Sequence, residues 1–268
     1  MRVYGSDAIR NVAFVGHGGS GKTTLVDALA FVSGASRRHG NIKDGTTLTD
    51  YTPDEIARQH SISLGLAYAE WMDAKLNLLD TPGYLDFFGE VVTGLHAADA
   101  AVVVVSGVSG VEVGTEKAWE VCDRLHLPRL IFVGQMDKEH ANFERVFADV
   151  KAHLSPKVLP VEVPIGEGST FRGIVNLFSG KSHIYKPGTK SGEYDEVEVP
   201  AEHQAEVKKY SDLLIETVAA TDDALIERYL GGEEIPREEV IAALKTAVAA
   251  GSIVPLFVGS ATLTFGMR

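Results

Sequence analysis

Residues 16–24 read Gly16-His17-Gly18-Gly19-Ser20-Gly21-Lys22-Thr23-Thr24. A short apolar run, 12–15, precedes them and an apolar pattern of helical spacing, 25–32, follows, so a GxxxxGK[ST] sequence occupies a strand-to-helix turn. Glycines let the backbone wrap closely around a diphosphate, and successive N–H groups at the helix start form an anion cradle. Lys22 is then placed to reach the β- and γ-phosphates, the Thr23 hydroxyl to bind a magnesium ion shared with them, and Thr24 to touch the α-phosphate. Every position of the pattern matches in the required context, which argues against a glycine-rich turn that binds nothing. The chain is expected to bind a nucleoside triphosphate.

At 268 residues and 45% hydrophobic content the chain can bury a large core, as one domain or one domain with a sizeable insertion. A formal net charge of −12 argues against a broad electrostatic grip on nucleic acid, so any contact with RNA would be local. The single cysteine, Cys122, excludes an internal disulfide and reads as a core thiol on an expected helix. The nine histidines show neither HExxH spacing nor cysteine partners, so no zinc site is expected. The N-terminus lacks an apolar signal region, and the longest apolar stretch, 100–105, is far too short to span a bilayer, so the chain reads as cytosolic.

Residues 33–61 are dominated by Gly, Thr, Asp and Arg without a sustained apolar period, and this segment is expected to be mobile. Alternation begins at 62 and runs to 70, residues 72–75 make a turn, and 76–79 form a second strand: a hairpin at one side of a sheet. That strand runs into Asp80-Thr81-Pro82-Gly83-Tyr84. An acidic residue at a strand end, about 60 residues after a phosphate loop, is the usual position for a carboxylate that holds magnesium through water. Gly83 would offer its N–H to the γ-phosphate, although DTPG is also a good turn in its own right.

A helix over 87–97, a buried strand over 100–106, a helix over 115–125, a strand over 130–134 and a helix over 142–154 come next. Buried apolar strands separated by helices argue for an α/β fold with a mostly parallel, doubly wound sheet. The strand at 254–258 leads into Gly259-Ser260-Ala261, which lies 260 − 137 = 123 residues after Asp137. One crossover needs only about 30. The surplus, 160–251, carries strands at 161–164, 173–178, 183–186 and 193–199 and helices at 202–219, 223–229 and 237–250, so it reads as an inserted α+β subdomain. Residues 1–159 and 252–268 then form the main domain.

The segments GHGGSGKTTL, DTPGYLDF, AADAAVVVVSGVSGVEVGTEKAWE, LPRLIFVGQMDK and VGSA, with an insertion in the same place, resemble the GTP-binding domain of translation elongation factor G and its ribosome-acting relatives. The resemblance covers nearly the whole chain and implies a P-loop GTPase fold, magnesium as cofactor, and GTP and GDP as substrate and product. It implies nucleotide contacts at 16–24, Asp80, Gly83, Gln135, Asp137, Ser260 and Ala261, metal contacts at Thr23, Ser61 and Asp80, and catalytic parts for Lys22, Gly83 and Tyr84. It also implies a cytoplasmic monomer whose partner is the ribosome, with no DNA and no membrane. The chain stops at Arg268, before the closing helix the resemblance leads one to expect, so it reads as an N-terminal fragment with Leu256 and Phe257 under-covered.

The chain departs from the family in three places. Tyr84 stands where the family has a histidine that orients the attacking water when the ribosome presses it into place. A phenol titrates near 10 and does not become a cation, though its hydroxyl can still bond a water or a phosphate oxygen, so slow, weakly stimulated hydrolysis is expected. Gly134-Gln135 replaces the asparagine and lysine of the guanine-reading NKxD. Asp137 can still accept two hydrogen bonds from guanine, worth about 1.5–3 kcal/mol each, unless it merely caps the next helix. Ser61 stands where RGITI has its threonine, and its hydroxyl can do the same chemistry or simply open a strand.

Three functions stay open at this point: a ribosome-associated GTPase whose segment 40–61 is ordered by GTP and magnesium, a nucleotide-sensing module with little or no intrinsic GTPase activity, and an ATP-using P-loop enzyme, which Asp137 disfavours.

Overall fold

The computed structural model describes residues 3–186, 188–189 and 192–268. Strand β1 (Ile9–Val15) enters the phosphate-loop turn and leaves it as helix α1 (Lys22–Val32). A short helix α2 (Pro53–Arg58) precedes an antiparallel hairpin, β2 (Gly65–Trp71) and β3 (Ala74–Asp80), that turns at Met72 and Asp73, both at positive φ. Helix α3 (Phe88–His96), strand β4 (Ala100–Ser106), helix α4 (Val113–Arg124), strand β5 (Arg129–Gly134) and helix α5 (Phe143–His153) then alternate. Strands β6 (Val158–Pro160), β7 (Glu162–Ile165), β8 (Gly173–Asn176), β9 (Lys181–Tyr185) and β10 (Tyr194–Glu198) lead to helices α6 (Gln204–Ala219), α7 (Asp223–Leu230) and α8 (Arg237–Ala249), and the last strand is β11 (Val254–Val258).

The main sheet has seven strands in the order β2-β3-β1-β4-β5-β11-β6, parallel except for the edge strand β2. Strand β4 is buried from Ala101 onward because helices cover both faces, which is why it reads as a continuous apolar run. Helix α1 covers one face through Leu25, Val26 and Ala28, against Phe14, Leu78, Val102 and Val104. Helices α3, α4 and α5 cover the other; in α5, Phe143, Val146, Phe147 and Val150 form one apolar stripe, and Asn142 caps the helix by accepting from the Arg145 N–H at 2.8 Å. No helix among the described residues is long and apolar enough to cross a membrane.

The strand expected at 161–164 is found as β7, one residue along, and a further strand, β6, precedes it outside the expected range. Residues 158–160 pair with β11 at the edge of the main sheet, while 162–165 start a second, antiparallel sheet ordered β10-β9-β8-β7. Pro160 sits in an edge strand, where its missing N–H costs no ladder bond to β11, and a three-residue edge strand is too short to show alternation. The Val161 N–H still donates to Leu256 O at 3.0 Å, which joins the two sheets. Residues 187, 190 and 191 of the expected insertion lie outside the described residues.

Leu256 is fully buried, contrary to the expectation that it would be under-covered; Phe257 is partly buried. The second sheet packs into the same core as β11, with Val163, Ile165 and Ile174 in the cluster that holds Leu256. Phe265 also stacks on Tyr185 with ring centroids 4.3 Å apart, and the Gly266 N–H donates to Tyr185 Oη at 2.7 Å.

Helix α2 is another element that periodicity does not reveal, since six residues are too few to display an apolar repeat. Its start is encoded chemically instead: Thr52 and Glu55 form a reciprocal capping box with Pro53 at the first helical position.

Strand β1 lies between β3 and β4, and the chain visits one side and then the other. The carboxyl end of β1 is therefore a topological switch point, where an open α/β sheet leaves a crevice for a ligand.

Candidate active site

The loop after β1 wraps around the Lys22 ammonium. Lys22 is 5% exposed and donates to Gly16 O at 3.0 Å and His17 O at 2.8 Å, and burial lowers its pKa to about 8. The His17 N–H donates to Thr115 Oγ1, and its ring Nδ1 accepts from the Gly114 N–H at 3.2 Å. His17 thus ties the loop to α4, while Gly18, Gly19, Gly21, Lys22, Thr23 and Thr24 line the cavity itself.

At the end of β3 the Thr81 hydroxyl donates to Phe14 O at 2.7 Å and clamps the DTPG turn beside the loop. A Cβ on Gly83 would lie 2.5 Å from Lys22 Nζ and 2.6 Å from Gly18 N, so only a residue without a side chain fits there.

The oxygens opposite Lys22 form a set that a hard cation suits. Thr23 Oγ1 and Ser61 Oγ are 3.1 Å apart, and Asp80 Oδ2 accepts from Thr49 Oγ1 at 2.6 Å. Asp80 Oδ1 and both carboxylate oxygens of Asp50 are buried without a hydrogen-bond partner among the described residues. Burial pushes the Asp80 pKa up to about 6 and raises that of Asp50 as well. Three buried carboxylate oxygens without a hydrogen-bond partner, beside two hydroxyls, match the oxygen ligands that magnesium prefers, so the residues fit that ion. Asp50 and Thr49 escape sequence reasoning because a lone Thr-Asp in an aperiodic segment carries no spacing signal.

Two further carboxylates anchor that segment. Asp27, buried on α1, accepts from the Gly40 N–H and, at 3.1 Å, from the Leu48 N–H. Glu55 accepts from the Thr52 hydroxyl at 2.7 Å and from the Ile62 and Ser63 N–H groups at 3.1 and 3.2 Å. These bonds place Asp50, His60 and Ser61 on the cavity wall.

Tyr84 lies across the loop. A Cβ on Gly18 would sit 3.1 Å from Tyr84 Cζ, tighter than ordinary van der Waals contact, so the ring occupies the space a side chain at 18 would take. The His60 ring is 4.7 Å from the Tyr84 ring, centroid to centroid.

Beyond Thr24 a second cavity, of about 310 Å³, is lined by Ser20, Phe132, Gly134, Asp137, Ala261 and Thr262 among others. Asp137 Oδ1 is buried with no hydrogen-bond partner among the described residues, as an acceptor awaiting a donor would be. Gln135 Nε2 donates to Gly19 O at 2.8 Å while its Oε1 accepts from the Ser106 hydroxyl at 2.7 Å, so this side chain bridges the phosphate loop and the end of β4. Ser260 is fully buried, its hydroxyl accepting from the Leu263 N–H at 3.2 Å, and it shapes the loop that presents Ala261.

Comparison with known proteins agrees with this geometry. Residues 7–268 match the family described as the elongation factor Tu GTP binding domain. A crystal structure from Thermus thermophilus is similar over 97% of this chain, at 40% sequence identity and a TM-score of 0.89; the chain spans 38% of that protein. With a phosphate loop at the switch point of β1, a carboxylate at the end of β3 and an acceptor in a separate base-sized cavity, the chain belongs to the elongation factor Tu GTP-binding domain family, a translation-factor-type GTPase domain.

Proposed function

We propose that the chain is the GTP-hydrolysing switch domain of an elongation-factor-G-like protein that acts on the ribosome in the cytoplasm as a monomer. In this reading 160–251 is a subdomain inserted between 1–159 and 252–268. The observation that carries the nucleotide assignment is the convergence of Lys22, Thr23, Asp50 and Ser61 on one cavity, with Asp137 lining the next.

Lys22 and the loop amides hold the β- and γ-phosphates, and Gly83 offers its N–H where nothing larger fits. Thr23, Ser61 and Asp80, joined by Asp50, would hold magnesium, which when bound neutralises charge on the phosphate oxygens. Hydrolysis forms a bond from water oxygen to the γ-phosphorus and breaks the bond to the bridging oxygen, the water proton ending on the released phosphate. The Tyr84 hydroxyl orients that water or a γ-oxygen, but a phenol has no cationic form, so the reaction is slow and only weakly stimulated by the ribosome. Asp137 selects guanine, with Gln135 replacing the lysine stem by a bridge to Gly19.

Isothermal titration with magnesium present tests this reading. GTP and GDP are expected to bind and ATP to compete poorly; no binding at millimolar guanine nucleotide would overturn it. A second reading, a nucleotide sensor that barely hydrolyses, draws on Tyr84 and Gly134-Gln135, and a single-turnover assay of the full-length protein with ribosomes separates the two.

A further inference from the structure

His60 and Ser61 are consecutive residues with different neighbours. Ser61 Oγ lies 3.1 Å from the Thr23 hydroxyl, whereas the His60 ring packs on Tyr84 with centroids 4.7 Å apart and planes tilted by 54°, and reaches Phe87 at 6.2 Å. Gln59, which closes α2, is left-handed at φ +57°, and this turn redirects the chain so that His60 faces the DTPG segment. Tyr84 is 44% exposed, so burial does not fix its ring. Its Cζ, the atom that carries the hydroxyl, is the ring atom nearest the space above Gly18. The sequence assigns no part to His60.

We infer that His60 is a positioning residue for Tyr84: by packing on the phenol it keeps the ring lying across Gly18, with the hydroxyl end at the phosphate loop. This rests on the reading of Tyr84 as the group that orients water or a γ-oxygen. Because His60 is carried by the segment that also supplies Ser61, ordering of that segment places the phenol in the same event. The aromatic surface of the imidazole does the positioning, so another aromatic side chain at 60 suffices.

The test uses the full chain with 3-fluorotyrosine incorporated, in the wild type and in His60→Ala and His60→Phe variants, with Tyr84→Phe identifying the residue 84 signal. In nucleotide-free protein the fluorine resonance of Tyr84 is expected to move in His60→Ala toward that of an exposed tyrosine, and to move far less in His60→Phe. At saturating GTP the single-turnover rate is expected to fall about 2- to 10-fold in His60→Ala, the range an aromatic pair supplies, and to recover within about twofold in His60→Phe. The GTP dissociation constant is expected to stay within about twofold in both, a split that loss of folding would not produce. An unchanged resonance in His60→Ala, or a rate in His60→Phe as low as in His60→Ala, would overturn the inference. Failure of the wild type to bind GTP would instead overturn the functional reading, and the resonance would still decide the packing.

Discussion

The Thr49 hydroxyl donates to Asp80 Oδ2 at 2.6 Å and leaves Asp80 Oδ1 buried with no hydrogen-bond partner among the described residues. One oxygen is thereby pinned and the other presented, and a residue of the glycine- and threonine-rich segment orients the carboxylate at the end of β3. Partners that orient a metal-binding group typically contribute 10- to 100-fold in metal affinity. Thr49→Val is expected to weaken magnesium-dependent GDP binding about 10-fold, and Asp80→Asn by more, both read by titrating magnesium at fixed GDP. An unchanged magnesium midpoint in Asp80→Asn would count against Asp80 as a metal-holding group.

Asp27 fastens the same segment to α1 through the Gly40 and Leu48 N–H groups. Hydrogen bonds to a charged group contribute about 1.5–3 kcal/mol each, so Asp27→Ala is expected to release the segment while the sheet stays folded. Amide hydrogen exchange at 40–48 should accelerate by at least about 10-fold, with protection in β4 and β5 unchanged.

Glu55 makes the closure of the segment depend on acid. Burial alone would raise its pKa, but the Thr52 hydroxyl and the Ile62, Ser63 and Thr52 N–H groups outweigh burial and hold it below the ordinary value of 4.5. The folded state therefore binds its proton less readily than the unfolded chain. The stabilisation is fully present above pH 4.5 and is lost as pH falls through the depressed folded value. Melting temperature measured from pH 6 down to pH 3 should fall less steeply in Glu55→Gln than in the wild type, and Glu55→Gln should be the less stable protein at pH 6.

Tyr84 sets the rate in this account. Tyr84→His is expected to raise single-turnover hydrolysis on ribosomes with the full-length protein, by 10-fold or more on the scale of general acid–base groups. No increase would show that the phenol is not what limits the chemistry.

The sequence made legible those parts of the site whose chemistry is local. Residues 16–24 and DTPG announce themselves by spacing, and β4 by unbroken burial, because each is dictated by its own neighbours. Asp50, Thr49, Asp27 and His60 become functional candidates only when 33–61 folds back onto α1 and β3, an arrangement made of side-chain-to-backbone bonds with no period to detect. The capping box at Thr52 and Glu55 was readable and marks the start of α2, whereas β6 is three residues at a sheet edge, too few to show a period.

A crystal structure with magnesium and GDP decides where the nucleotide and the metal lie. The diphosphate is expected against the amides of residues 18–24 with Lys22 turned from Gly16 O and His17 O toward it, the metal between Thr23 and Asp80, and guanine N1–H and its amino group on Asp137. Density for the diphosphate elsewhere, or a base that leaves Asp137 unpaired, would contradict this placement.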